Sequence, residues 1–274
     1  MFKDIDLKGH TVIVRVDFNV PFDENMKVSD DTRIKGAIPT IKELIDRKAK
    51  VILMSHLGRP LKDLNEDGSV KKKYSLVHVV DALKNNLGME VTFIETPVTN
   101  PSISKEISES SIKNVILLEN TRYYKGEEKG DEELAKTMAS LADFYVNDAF
   151  GAAHREHAST ATIARQFDPT HKSFGLLMDK EVSNISKVLG DINRPFCAIV
   201  GGAKVSDKIA LIENLMDKVD KIIIGGGMAF TFIKAQGGSI GSSLCELDKL
   251  DLALELFAKA KSKNVELILP VDSK

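Results

Sequence analysis

The chain has 274 residues, of which 43% are hydrophobic and 28% charged, with a formal net charge of −2. That composition describes a folded globular protein with material for a large core, in one large domain or two. The near-neutral balance argues against a nucleic-acid partner, which selects a basic surface, and no apolar run approaches the length of a membrane span. The first residues, Met1-Phe2-Lys3-Asp4-Ile5-Asp6, carry acids and no apolar segment, so no secretory leader is expected. Cys197 and Cys245 lie far apart, and both are expected to pack rather than pair, which suits a reducing cytoplasm.

The first strand pattern is the β-branched run 11–16, followed by Asp17, Phe18, Asn19, Val20 and Pro21. On an extended chain Arg15, Asp17 and Asn19 share one face, a polar patch where open α/β sheets place ligand chemistry. Further strands are predicted over 50–55, 90–94, 115–118 and 144–146, with helices over 33–48, 76–87 and 132–142. Asp30 or Asp31 is positioned to cap the first helix; Ser75 and Gly88 bracket the second as N-cap and stop. This β-α alternation predicts a parallel sheet with helices on both faces.

Residues 168–171 read as a turn and 175–189 as a helix between domains. A second α/β series follows: strand 196–200, helix 207–216, strand 221–224, helices 229–235 and 249–261, and strand 266–269. The expected organisation is a first domain over 1–172, an interdomain helix over 173–190 and a partial second domain over 191–274. Three strands are few for an α/β domain, so the second domain is expected to be incomplete in this chain. The charged, glycine-containing stretches 62–73 and 125–133 read as solvated loops.

Several cations follow strands or open helices: Arg33, then His56 and Arg59, then Arg122, then Arg155. In a parallel sheet those strand ends share one edge, so the groups are expected to converge on a small polyanion, which arginine binds bidentately. A lone arginine is more often a surface ion-pair partner; convergence is what lowers that reading. His154 and His157, three apart, have metal-ligand spacing without a third ligand, and Arg155 between them favours an anion, so no metal site is expected. In the second half, 201–208 (Gly-Gly-Ala-Lys-Val-Ser-Asp-Lys) follows a strand and opens a helix, a geometry that presents backbone N–H groups to phosphate. On shape alone it is either a phosphate loop or a plain βα turn. Gly225-Gly226-Gly227 follows the next strand and either admits a flat base or packs as a turn. A nicotinamide dehydrogenase also has two α/β domains, but the Gly-x-Gly-x-x-Gly fingerprint is absent.

The septet 15–21, Arg33, His56-Leu57-Gly58-Arg59, Arg122, the segment 146–151 with Arg155, and the turn 201–208 occur in one order along the whole chain. In that order they resemble the phosphoglycerate kinase family. The resemblance implies two Rossmann-like domains with parallel sheets that close by hinge bending, the second domain incomplete here. It implies reversible phosphoryl transfer from 1,3-bisphosphoglycerate to ADP, giving 3-phosphoglycerate and ATP, in glycolysis. By similarity Asp17, Phe18, Asn19, Arg33, His56, Leu57, Gly58, Arg59, Arg122 and Arg155 hold phosphoglycerate. Gly202, Lys204, Lys208, Gly225 and Gly226 hold the nucleotide, and Arg33 and Lys204 act on the transferring phosphoryl group. Mg2+ is expected to arrive on ATP or ADP, its protein-side Asp lying beyond residue 274 in the family pattern. No nucleic-acid or membrane partner is expected, and the protein is read as a cytoplasmic monomer. A second reading is a fragment that binds 3-phosphoglycerate and does not turn over.

Overall fold

The computed structural model describes residues 2, 5–111, 115–190 and 192–272. Contacts divide the chain into two compact units, Met1–Ser183 and Asn184–Lys274.

In chain order the first unit holds β1 (Thr11–Arg15), α1 (Thr32–Asp46), β2 (Lys50–Met54), α2 (Val80–Leu87), β3 (Val91–Ile94), α3 (Ile103–Glu109), β4 (Val115–Leu118), α4 (Glu132–Ala139), β5 (Phe144–Asn147) and β6 (Lys172–Phe174). α5 (Leu176–Leu189) follows and runs across the division between the units. The six strands form one sheet in the order β3-β4-β2-β1-β5-β6, every pairing parallel. The chain builds outward from β1 through β2 to β3, returns to β4, then crosses to the other side of β1. That reversal leaves a crevice at the carboxyl ends of β1, β2 and β5, where open α/β sheets take their ligands.

Alternation along the strands feeds two separate cores. Val12 and Val14, with Val51, Leu53, Val115 and Leu117, pack with Ile34, Ile41 and Leu44 of α1 and Leu83 of α2. Ile13, with Ile52, Met54, Ile116 and Tyr145, packs with Ile103 and Ile107 of α3 and with Leu134 and Met138 of α4. The sheet is thus buried on both faces, which is why its strands read as unbroken apolar runs.

Ser75 and Gly88 act as expected. The Ser75 hydroxyl accepts from the Val77 N–H at the head of a 3₁₀ turn (Leu76–Val79) that leads into α2, and Gly88 ends α2 at φ +72°. The first helix departs from expectation. Asp31 holds the N-cap position but sends its carboxylate to Lys35 and Asn86, while Asp30 accepts from the Thr32 N–H at 2.8 Å. α3 and β6 carry no strong sequence signal, being seven and three residues long. The N-terminus of α5 is held from outside the helix. Asp148 Oδ1 accepts from the Leu177 and Met178 N–H groups at 3.0 and 3.1 Å, and Thr40 Oγ1 accepts from Leu176 N–H at 2.9 Å. A Cβ on Gly175 would stand 2.3 Å from Asp148 Oδ1, so this approach requires glycine.

The second unit contains β7 (Cys197–Gly201), α6 (Ile209–Met216), β8 (Lys221–Gly225), α7 (Met228–Ala235), α8 (Leu250–Ser262) and β9 (Glu266–Ile268). The strands pair in parallel in the order β7-β8-β9. Val200, Ile222, Ile224, Met228, Phe232 and Leu256 form its core. One face of β7 is open: Ile199 is 77% exposed, and Cys197, expected to pack, is exposed as well. The apolar run 196–200 therefore has a buried side at Val200 and an uncovered side at Cys197 and Ile199, a distinction a continuous apolar run conceals.

Candidate functional site

The four cation-bearing segments of the first unit follow β1, β2, β4 and β5, whose carboxyl ends lie at one sheet edge. Asp17, two residues past β1, accepts from Arg33 Nη1 at 2.9 Å and from the Asn19 N–H at 3.2 Å. Arg33, in the first turn of α1, is half-exposed. With Asp148, Gly151, Leu177 and Glu181, Asp17 and Arg33 line a cavity of about 200 Å3. Asn19 Oδ1 accepts the Gly58 N–H at 2.8 Å. Gly58 sits at φ +60°, and a Cβ there would lie 2.5 Å from the Tyr74 ring, so both backbone and space demand glycine.

Arg122 is 5% exposed. Its Nη1 donates to the Gly58 carbonyl at 2.7 Å, its Nη2 pairs with Glu128 at 3.2 Å, and among the described residues its buried Nε lacks a partner. Burial lowers its pKa, opposed by Glu128 and reinforced by the neighbouring cations Arg155 and Arg15. A buried guanidinium remains charged at pH 7. Arg155 is partly buried, Nε 3.3 Å from His154 Nε2, and Arg59 is exposed beside Arg122 in a small recess shared with Lys62, Lys125 and Glu128. His56 is 6% exposed and its pKa is pushed down to about 2, first by burial, then by Arg15, Arg122, Arg155 and His157. It is therefore neutral, and in this edge it supplies hydrogen bonds rather than charge. His157 is lowered too, burial being the leading cause.

Two expected contact residues turn inward. Phe18 is wholly buried in the core against α1, and Leu57 is 4% exposed, so these positions present main chain, not side chain, to the edge. Phe18 N–H is already given to Ser55 Oγ at 2.8 Å. The Arg/His cluster itself is assembled as the strand order requires.

Sequence reading missed the scaffold that holds these groups. Asn120 is fully buried and makes four hydrogen bonds. Its Nδ2 donates to the Leu57 and Tyr74 carbonyls (2.8 Å each), and its Oδ1 accepts from Leu57 N–H (3.1 Å) and Arg122 N–H (3.0 Å). Glu119 accepts from Leu76 N–H, Asn120 N–H and Ser75 Oγ. The only sequence signal for either was polarity straight after a buried strand.

In the second unit Gly202 and Gly226 meet back to back. Gly226 has φ +71°, its Cβ position 2.8 Å from the Gly202 carbonyl, and Met228 N–H donates to that carbonyl at 2.9 Å. Gly225 faces open space. Lys208 lies along Gly202, its Cε 3.4 Å from where a Cβ would stand, and Lys204 is exposed. α6 begins at Ile209, two residues later than predicted. The N–H groups expected to face phosphate are partly taken. Glu246 accepts from Val205 N–H at 2.6 Å, Ser206 N–H at 3.2 Å and Ser206 Oγ at 2.6 Å, bonds that lower its pKa, the Ser206 hydroxyl most. These two amides are engaged within the turn, while Lys204 stays exposed.

A larger cavity of about 540 Å3 is lined by Tyr145, Asn147, Thr160, Ala164, Phe174 and Met178; Lys172 in its lining donates to the Ala164 carbonyl at 2.7 Å. Among the described residues no helix is long and apolar enough to cross a membrane.

A parallel Rossmann-like α/β architecture, with clustered arginines at the switch point of one sheet and glycine turns with lysines at the strand ends of another, places the chain among the open α/β proteins, whose ligands bind at strand carboxyl ends. The family model for phosphoglycerate kinase matches residues 2–274. The chain is 52% identical over 271 residues to phosphoglycerate kinase of Pseudothermotoga lettingae, covering 99% of this chain and 66% of that protein. It is likewise 52% identical over 270 residues to the cytosolic phosphoglycerate kinase of Nicotiana tabacum, covering 98% and 65%. The solved phosphoglycerate kinase of Coxiella burnetii superposes with a TM-score of 0.79 at 44% identity, over 98% of this chain and 65% of that one. This chain belongs to the phosphoglycerate kinase family, and it spans about two thirds of the length of the relatives it matches.

Proposed function

We propose that the protein is a phosphoglycerate kinase, moving a phosphoryl group between 1,3-bisphosphoglycerate and ADP to give 3-phosphoglycerate and ATP. The observation that carries this reading is the gathering of Arg33, Arg122, Arg155 and neutral His56 at one sheet edge beside Asp17. Such a set matches a small ligand with a phosphate at one end and a carboxyl at the other. Gly58 brings main chain close to that ligand, and Asp17 with Asn19 serves its hydroxyl and carboxyl end. Arg59 extends the positive rim.

Neither reacting oxygen needs a general base, because a carboxylate and a nucleotide phosphate are already ionised near pH 7. Catalysis is then positioning and charge neutralisation of a loose, in-line transition state. Arg33 and Lys204 are the cations assigned to the transferring group, Lys208 to the nucleotide phosphates, and Gly202, Gly225 and Gly226 to the nucleotide's approach. Magnesium enters as part of the nucleotide substrate; among the described residues no group of three or more His, Cys, Asp or Glu is arranged to hold a metal. The site works in the cytoplasm on small molecules, in a monomer whose first domain runs on from the expected limit at 172 through β6 to 174, followed by the linking helix α5 and a nucleotide domain from 191.

The chain's two-thirds span of its relatives favours one second reading, a module that binds 3-phosphoglycerate without turnover. A coupled assay of ATP consumption with 3-phosphoglycerate, run beside a direct binding titration, separates the two. Turnover supports the kinase, binding without turnover supports the module, and absence of both rejects the site assignment.

A further inference from the structure

The strand period puts Arg15 on one polar face with Asp17 and Asn19. Its contacts lead elsewhere. The guanidinium is fully buried at the end of β1 and spends its donors on three partners. Nε donates to Ser159 Oγ at 2.8 Å, Nη1 to the Val16 carbonyl, and Nη2 stands 3.0 Å from His56 Nδ1. A guanidinium has donors only. The His56 nitrogen that faces it must accept, so Nδ1 carries the lone pair and the ring proton sits on Nε2. The ring is neutral first because it is buried, and then because of the basic groups near it: Arg15 from β1, Arg122 after β4, and Arg155 and His157 after β5. Asp17 has Oδ1 4.0 Å from Nδ1, too far to hydrogen-bond a proton there.

Arg15 is itself held in register by a buried relay. Ser159 is fully buried; its hydroxyl donates to Glu127 Oε1 at 2.5 Å and its N–H donates to Glu127 Oε2 at 3.0 Å. Glu127 is also fully buried. The hydroxyl proton is thereby committed to Glu127 and its lone pair to Arg15 Nε, so the guanidinium cannot rotate without breaking the chain Glu127–Ser159–Arg15–His56. Among the described residues the ring's hydrogen bond is made through Nδ1, which leaves the Nε2 proton for a further acceptor.

We infer that Arg15 is a positioning residue that fixes His56 in the Nε2–H tautomer, making it a neutral hydrogen-bond donor to the anionic substrate. The inference rests on the proposed phosphoglycerate site for the identity of the ligand, but not for the tautomer. It means that His56 contributes direction rather than charge, and that acidification through the usual histidine range does not strengthen anion binding through this ring.

The test begins on the unaltered chain without ligand. Long-range proton–nitrogen correlation spectra of 15N-labelled protein report which ring nitrogen is protonated, and His56→Gln assigns the signal among the six histidines. The expected His56 pattern is protonated Nε2 and bare Nδ1, unchanged from pH 5 to 8. A bare Nε2, or a ring that titrates in that range, overturns the inference. Arg15→Lys keeps the charge but loses the fork, and is expected to give mixed tautomers; a retained pure Nε2–H form also overturns it. In calorimetric titration with 3-phosphoglycerate, His56→Gln, whose amide reaches the Nε2 position, is expected to bind within a few-fold of the parent. His56→Asn is expected to bind about tenfold more weakly, as the loss of one directed hydrogen bond does. The reverse order contradicts the assignment. If 3-phosphoglycerate fails to bind at all while the tautomer is as stated, the functional reading has failed and the positioning role stands.

Discussion

The two units present cations at the carboxyl ends of parallel strands with very different support. In the first unit the ligand-facing groups rest on a buried polar frame: Arg15, Ser159 and Glu127 behind His56, and Asn120 and Glu119 behind Arg122. In the second unit Lys204 is exposed, two N–H groups of its turn are tied to Glu246, and Ile199 on the adjoining strand is uncovered. A frame of buried, fully paired polar groups costs conformational freedom in advance and leaves less to order on binding. The cations of the first unit are therefore held in place by the fold itself. The second presents its lysines on a surface with little fixed behind them.

The comparison can be broken at several points. The largest stability effect is expected at Asn120→Ala, which strips four hydrogen bonds from the frame and leaves main-chain groups of Leu57 and Tyr74 unpaired. A loss of about 3 kcal/mol in urea unfolding of the first unit is predicted, from the cost of orphaning buried polar groups. A loss below about 1 kcal/mol would show that the frame is not what holds the edge. Next come the two cations assigned to the phosphoryl group. Arg33→Ala and Lys204→Ala are each expected to lower phosphoryl transfer about a hundredfold or more, the usual effect of removing one transition-state donor. Near-normal turnover in either would sink that assignment.

A pH effect follows from His56. Its folded pKa is depressed to about 2 from the ordinary 6.5, so below 6.5 the unfolded chain binds a proton that the native ring does not. Stability contributed here is present above pH 6.5 and is lost as pH falls toward 2. Between pH 7.5 and 5 the loss amounts to about 2 kcal/mol. His56→Gln should lack that part of the pH dependence; an identical pH slope in urea titrations of the two proteins would contradict neutral burial. The smallest change is expected at Glu246→Ala. Its pairing with Ser206 is near the surface, and its loss should cost about 1 kcal/mol. Hydrogen exchange should rise at Val205 and Ser206 and leave the first unit untouched.

How much of this was readable beforehand varies with distance along the chain. The strand ends and their cations were legible because strand period, turn residues and charge all lie within a few residues. Arg33, His56, Arg122 and Arg155 could be set on one edge from the strand pattern alone. The frame was not, because its partners are far apart: Arg15 meets Ser159 across 144 residues, and Asn120 meets Leu57 across 63. Phe18 and Leu57 sit among ligand-facing residues but point into the core, since alternation beside a strand end does not say where the chain turns. Glu246 reaches Ser206 across 40 residues, so its claim on the phosphate-type amides left no local trace. Cys197 read as buried because an apolar run does not reveal which of its faces is covered.

The central claim, that the edge of the first unit is a ready-made site for a phosphate and a carboxyl on one small molecule, is tested most directly by calorimetric titration of the 274-residue chain with 3-phosphoglycerate. One site per chain is predicted, with affinity that weakens as salt is raised and falls at least about tenfold in Arg122→Ala. Absence of binding, or binding indifferent to Arg122, would contradict it.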